Sequence, residues 1–140
     1  MSTTASLIGR IHLVMVPSTD QDRSIAFYEA LGFEKRADGA FGDGHRWVEL
    51  YPPGGTTGIA LAPAQEGAPG VQTGIIVTTE DIDATHARLR SDGVDVDAEV
   101  ARAGAPAEIR LGAADVVGPD PAMFYLRDPD GNALLVIGAG

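Results

Sequence analysis

Trp47, Glu49 and Tyr51 are the residues whose types and spacing suit chemistry best in this sequence. They alternate, so on an extended strand all three project from one face. Trp and Tyr each offer a flat stacking surface with one polar tip. A carboxylate between them can pair with a cationic group of a ligand, or act as a base if burial raises its pKa. The plainer alternative is an exposed glutamate on an ordinary strand. The histidines carry less. His12 lies in a strand-like run and reads as a half-buried structural residue. His45 follows a Gly-Asp-Gly turn and reads as a surface residue. His86 shares a helical face with Ile82 and Leu89, so it reads as packing, and Arg127 reads as structural. There is no Ser-His-Asp order, no phosphate loop and no dinucleotide fingerprint.

Composition limits the function classes. The chain has 140 residues, 44% of them hydrophobic, which suits a single domain with a real core. No apolar run approaches the roughly 18 residues of a membrane span. The first residues show no secretion-signal pattern, and no membrane partner is expected. With no cysteine, disulfides, thiolate metal sites and a Cys nucleophile are excluded, which fits a cytoplasmic location. A net charge of −10 with ten scattered Lys and Arg offers no basic patch for nucleic acid.

The elements that must position Trp47, Glu49 and Tyr51 come as a duplicated set. Ile11 to Val16 reads as a strand, and Pro17 to Asp20 supplies turn and N-cap chemistry. Ile25, Tyr28 and Leu31 then follow at helical spacing, with Gly32 as the stop. Ile75 to Thr78, Thr79 to Asp81, the trio Ile82, His86 and Leu89, and Gly93 repeat the same parts at an offset of 61 residues. Strand-like pieces follow each helix: 33–37, 46–51 and 58–62 in the first half, 94–100, 123–127 and 133–137 in the second. The turns Pro52-Pro53-Gly54 and Pro129-Asp130-Gly131 stand 77 apart, so the second half carries extra residues, which the Ala, Gly and Pro of 101–121 suggest are a loop. Residues 1–140 therefore read as one domain of two modules, 7–64 and 71–138, each β-α-β-β-β, with a loop insertion in the second. By the glycine alignment, Phe124 is the counterpart of Trp47. Either both flank a cavity or they pack under the helices.

Asp20-Gln-Asp-Arg-Ser-Ile-Ala-Phe-Tyr28 leading to Leu31-Gly32-Phe33, then Arg46 to Leu50, and Asp128-Pro-Asp-Gly-Asn132 resemble stretches of the vicinal oxygen chelate superfamily of glyoxalases, bleomycin resistance proteins and dioxygenases. The resemblance spans nearly the whole chain. It implies an α+β fold in which two tandem modules curve mixed sheets around a cavity, with helices outside. Metal-dependent members place one ligand seven residues before the helix-capping Asp and another three residues after the Asn of the Asp-Pro-Asp-Gly-Asn turn. Those positions fall here on Leu13, Gly74 and Leu135, with Ala60 as the matching position in the first half. None has a donor side chain. The resemblance thus implies no metal and no other cofactor, and catalysis is left undecided with a lean away from metal chemistry. It suggests a binding or sequestering protein for an apolar or aromatic organic ligand, such as an antibiotic or other natural product. Leu13, Met15, Trp47, Glu49, Ala60, Gly74, Phe124 and Leu135 would line the site, in a homodimer. The alternative is a glyoxalase-like lyase, isomerase or dioxygenase, metal-dependent or using Glu49 as acid or base.

Overall fold

The computed structural model describes residues 6–139. The chain divides between Ala64 and Gln65 into two compact units, both α+β. The first runs β1 (Leu13–Ser18), α1 (Gln21–Ala30), β2 (Glu34–Phe41), β3 (His45–Tyr51) and β4 (Gly58–Pro63). Its mixed sheet has the order β1-β4-β3-β2, with β1 and β4 parallel. The second runs β5 (Gln72–Thr79), α2 (Ile82–Ser91), β6 (Asp95–Val96), β7 (Glu108–Leu111), β8 (Ala114–Val117), β9 (Met123–Arg127) and β10 (Ala133–Gly138). Its main sheet has the order β5-β10-β9-β6, again with the first and last strands parallel, and β7 and β8 form a separate two-stranded sheet.

The two helices begin and end alike for the same chemical reasons. Asp20 and Asp81 are extended N-caps whose carboxylates accept from the amides of Arg23 and Ala84. Gly32 and Gly93 follow the last turns at φ +104 and +80, where a residue without Cβ is not strained. Each helix is also tied to the first strand of its unit. Ser18 Oγ lies 2.6 Å from Ser24 Oγ, and Thr79 Oγ1 lies 2.6 Å from Thr85 Oγ1. These pairs are related by the same offset as the caps.

One face of each main sheet lies under its helix. In the first unit this face carries Val16, Val48, Leu50, Ile59 and Leu61 against Ile25 and Tyr28, all buried. Gln21 adds two side-chain bonds, to the carbonyls of Arg46 and Leu61. In the second unit Phe124, Leu126, Leu134 and Val136 take that place with Leu89.

The structure departs from the sequence reading in three places. β1 runs on through Pro17 because it is an edge strand, where a missing N–H need not remove a ladder bond. The second strand of the second half, expected over 94–100, shrinks to Asp95–Val96. The Asp97 amide still donates to the Tyr125 carbonyl, but its carboxylate accepts from the amide of Tyr125 and from Arg127, so a side chain replaces the return bond of the ladder. Residues 101–121 are not all loop. Glu108–Leu111 and Ala114–Val117 pair as an antiparallel hairpin closed by Gly112 at φ +61 and Ala113.

The Asp-Pro-Asp-Gly-Asn turn is a structural clasp. Asp128 accepts from the amides of Asp130 and Asn132 and from Asn132 Nδ2, while Asn132 Oδ1 accepts from the amide of Val71 just before β5. Asn132 is fully buried. A Cβ on the adjacent Gly70 would meet the carbonyl carbon of Gly131 at 2.3 Å, so the strands approach as only glycine permits. Asn132→Ala takes the acceptor from the Val71 amide and one side-chain donor from Asp128, which keeps its two backbone amide donors. It is expected to lower unfolding free energy by about 1–3 kcal/mol in urea titration.

Candidate functional site

The helix-free face of the first sheet gathers the candidate residues. Register places Met15, Ala60, Glu49 and Ala37 in one row across the four strands, with Leu13, Gly58 and Tyr51 alongside. Trp47 stands opposite Gly39 of β2. The large side chains of β3 are therefore flanked on both sides by strands carrying Gly or Ala. Met15 at one end of the row is 68% exposed.

Glu49 is held by its own strand. Trp47 Nε1 donates to one carboxylate oxygen and Tyr51 Oη to the other, each at 2.7 Å. These bonds, Trp47's first, outweigh desolvation and hold the Glu49 pKa below its ordinary value, with the nearby His12 adding to the effect. Burial and the bond to an anion push the Tyr51 hydroxyl upward instead. Glu49 is thus a fixed carboxylate. The base reading required burial to raise its pKa, and the shift runs the other way.

Tyr51 owes its place to two neighbours. A Cβ on Gly58 would stand 2.7 Å from the Tyr51 ring and 2.6 Å from the Leu50 carbonyl oxygen, so the ring lies across β4 only because position 58 is glycine. The other side belongs to Arg36, whose guanidinium sits 4.4 Å from the ring centroid. Arg36 falls at the register shift between Lys35 and Ala37, and it donates to the carbonyls of Pro52 and Gly55. Phe41 meets Trp47 edge to face at 5.5 Å.

The histidines separate. His12 is exposed, with its ring 6.2 Å from that of Tyr51. It was expected half-buried within a strand, but it precedes β1, so strand alternation does not fix its direction. His45 is exposed and stacks near Phe41. His86 packs edge to face on Phe124 at 4.8 Å, and its Nε2 lies 2.6 Å from the Asp97 carbonyl oxygen.

The remaining candidates lie in the second unit and do not form a matching surface. Phe124 is fully buried on the helix-covered face, not beside an open one. The glycine alignment misleads there because the connection after β9 is one residue shorter than that after β3, which reverses strand parity. By sheet register Glu49 opposes Ala60, and Tyr125 opposes Leu135, so Tyr125 is the counterpart of Glu49. Gly74 sits in an irregularity of β5 at φ +73. Leu135 is buried among Ala101, Ile109 and Met123 beneath the hairpin.

The model of the Glyoxalase/Bleomycin resistance protein/Dioxygenase superfamily matches residues 10–136. The chain belongs to this superfamily. Among solved structures of the superfamily's fold, TnmS3, an antibiotic binding protein from Streptomyces sp. CB03234, is 28% identical, with 97% of this chain and 100% of that one covered at TM-score 0.70. A superfamily member from Sphaerobacter thermophilus DSM 20745 is 27% identical, covers 96% and 100%, and gives TM-score 0.76. The uncharacterized protein YetH of Bacillus subtilis (strain 168) is 26% identical over 133 residues, 93% of this chain and 98% of its own length.

The superfamily's metal does not fit the residues present. Leu13, Ala60, Gly74 and Leu135 offer no side-chain donor, and among the described residues no three His, Cys, Asp or Glu are grouped to hold an ion. Both oxygens of Glu49 already accept hydrogen bonds.

Trp47 reports directly on the state of Glu49. Protonating the carboxylate weakens an N–H···O⁻ bond, so Trp47 emission is expected to change on acidification. The bonded carboxylate contributes stability fully above its unfolded pKa and loses it as pH falls through the lower folded value. The emission midpoint should lie below the ordinary glutamate range and vanish in Glu49→Gln.

Proposed function

We propose that this chain binds, or sequesters, an aromatic or apolar organic ligand on the helix-free face of the first sheet, without a metal. One observation carries the reading: Trp47, Glu49 and Tyr51 form a bonded aromatic–carboxylate–aromatic ladder flanked by Gly and Ala. The half-buried Trp47 ring, beside exposed Gly39, supplies stacking area, while Tyr51, buried between Gly58 and Arg36, serves to orient the carboxylate. The carboxylate, locked by its neighbours, adds an oriented acceptor for a ligand donor or cation. Its lowered pKa makes it a poor general base, which disfavours the acid–base enzyme reading. The likeness to an antibiotic binding protein supports an antibiotic or related natural product as ligand.

Leu13, Met15 and Ala60 complete the proposed surface, all within the first unit. Of the other candidates, Phe124 and Leu135 are buried within the second unit, under its helix and in the cluster with Ile109, and Gly74 stays a proposed lining residue there. The reading takes the protein to act as a cytoplasmic homodimer. Exposed Met15 and Ile76, at matching places on the edge strands β1 and β5, are apolar surface that a second copy could cover. Among the described residues no helix is long and apolar enough to cross a membrane.

Fluorescence titration tests the binding, because Trp47 is the single tryptophan. At least one member of a panel of polycyclic aromatic natural products should quench it saturably. Glu49→Gln keeps the shape but removes the charge, and it is expected to weaken binding about tenfold for ligands that pair with the carboxylate. A panel without any saturable quenching speaks against the reading. Elemental analysis of protein purified without chelators should find no stoichiometric divalent metal, and a full equivalent would restore the metal-dependent alternative.

A further inference from the structure

Most glycines of this chain have a local reason. Gly58 and Gly70 lie where a Cβ would run into backbone, and Gly42 and Gly44, in the turn after β2, have positive φ. Gly39 has neither reason. It stands inside β2, its φ is not positive, and beyond its chain neighbours no atom among the described residues lies within 4 Å of where its Cβ would be. A glycine there weakens the strand, because it loses more freedom on folding and packs no side chain. A neighbouring ring does not take the empty place either. Trp47 stands directly opposite in register, yet neither its indole nor the Phe41 ring comes within 4 Å of that point. The result is exposed, bare backbone on the helix-free face.

What borders this bare patch is held in place. The Trp47 indole is fixed by the bond from Nε1 to Glu49 and braced edge-on by Phe41, whose own ring lies 5.5 Å from that of His45. Phe41 is 42% exposed. Glu49 follows Trp47 by two residues, about 7 Å along the strand. Each of its oxygens accepts one hydrogen bond and keeps a second lone pair, and among the described residues it has no ion-pair partner. Arg36 and His12 stand by Tyr51, at the far end of the ladder from Gly39. A flat ring system can touch bare backbone over its whole face, whereas a globular group touches it at a point.

We infer that Gly39 is a ring seat: a planar fused-ring aromatic amine lies over the bare backbone of β2 beside Trp47, with its protonated amine on Glu49, and glycine at position 39 sets the preference for flat over globular ligands. This rests on the proposed function and adds to it the shape and charge of the ligand.

Proflavine, a planar three-ring cation with amines at its edges, is the probe, in about 0.15 M salt to screen exposed charge. Quenching of Trp47 and the emission of the probe should both report one saturable equivalent per chain. Gly39→Val is the telling variant. The position has room for the side chain and valine suits a strand, so the urea midpoint should hold or rise. The branched side chain fills the seat, so the dissociation constant should rise about tenfold or more. Gly39→Ala should fall between the two. 1-Adamantylamine, a cation without a flat ring, should leave the probe in place. Equal proflavine affinity in Gly39→Val overturns the inference and leaves the proposed function standing. So does displacement by 1-adamantylamine at comparable concentration, or a lack of proflavine binding while another aromatic compound still quenches Trp47 saturably. A marked loss of stability in Gly39→Val overturns it as well, since the glycine would then serve the fold. If proflavine and every other aromatic compound fail to bind, the proposed function falls and this seat with it.

Discussion

A four-stranded sheet has two faces, and a module with one helix can cover only one of them. That constraint shapes both halves of this chain. The covered face is built on one plan twice: a capped ten-residue helix, a hydroxyl pair tying it to the first strand, and a layer of buried apolar side chains beneath, with Phe124 only in the second. The uncovered face is where the halves part. An apolar sheet surface left in water forgoes the burial that would stabilise it, at about 25 cal/mol per Å². The second half meets this with its own insertion. The first half carries Gly and Ala on the strands flanking a bonded carboxylate, with Gly58, Ala60 and Tyr51 buried there.

That carboxylate is tolerable because its partners come from the same strand. Residues two apart on a strand share a face and lie within reach of long side chains, so Trp47 and Tyr51 bracket Glu49 without help from any other element. The sheet then constrains the bracket. Gly58 makes room for the Tyr51 ring, and the irregularity at Arg36 delivers a cation to its far side. A carboxylate with both oxygens satisfied is an electrostatic fixture with little appetite for a proton. This favours recognition over proton transfer on this face.

Much of this was legible in the sequence, because it is local. N-cap aspartates, stop glycines and their repeated spacing act over a few residues and need no tertiary context. The alternation of Trp47, Glu49 and Tyr51 was equally visible, although the mutual bonding was not, since alternation gives a shared face and not rotamers. What failed depends on distant partners. Phe124 was misaligned because a turn one residue shorter reverses parity, and parity is invisible without a register. The hairpin was hidden by the Ala, Gly and Pro around it, yet Ile109, Leu111 and Val116 about the Gly112-Ala113 turn carried an alternating signal short enough to be missed. His12 eluded the alternation rule because the strand begins one residue later.

The same contrast bears on what the fold retains without metal ligands. In the superfamily's metal-dependent members the ligand positions lie on the outer and last strands of both modules, so a metal site needs all those strands to agree. Here those positions carry Leu13, Ala60, Gly74 and Leu135. The Trp47–Glu49–Tyr51 ladder makes no such demand, because it is complete within β3 and needs only small neighbours. Ala60 brings no side-chain donor to its position and lies fully buried opposite Glu49. At position 135, Leu removes the donor and supplies a seat for Ile109. The same lack of a donor thus accompanies a small residue beside a bonded carboxylate in one module and a leucine packed under the hairpin in the other.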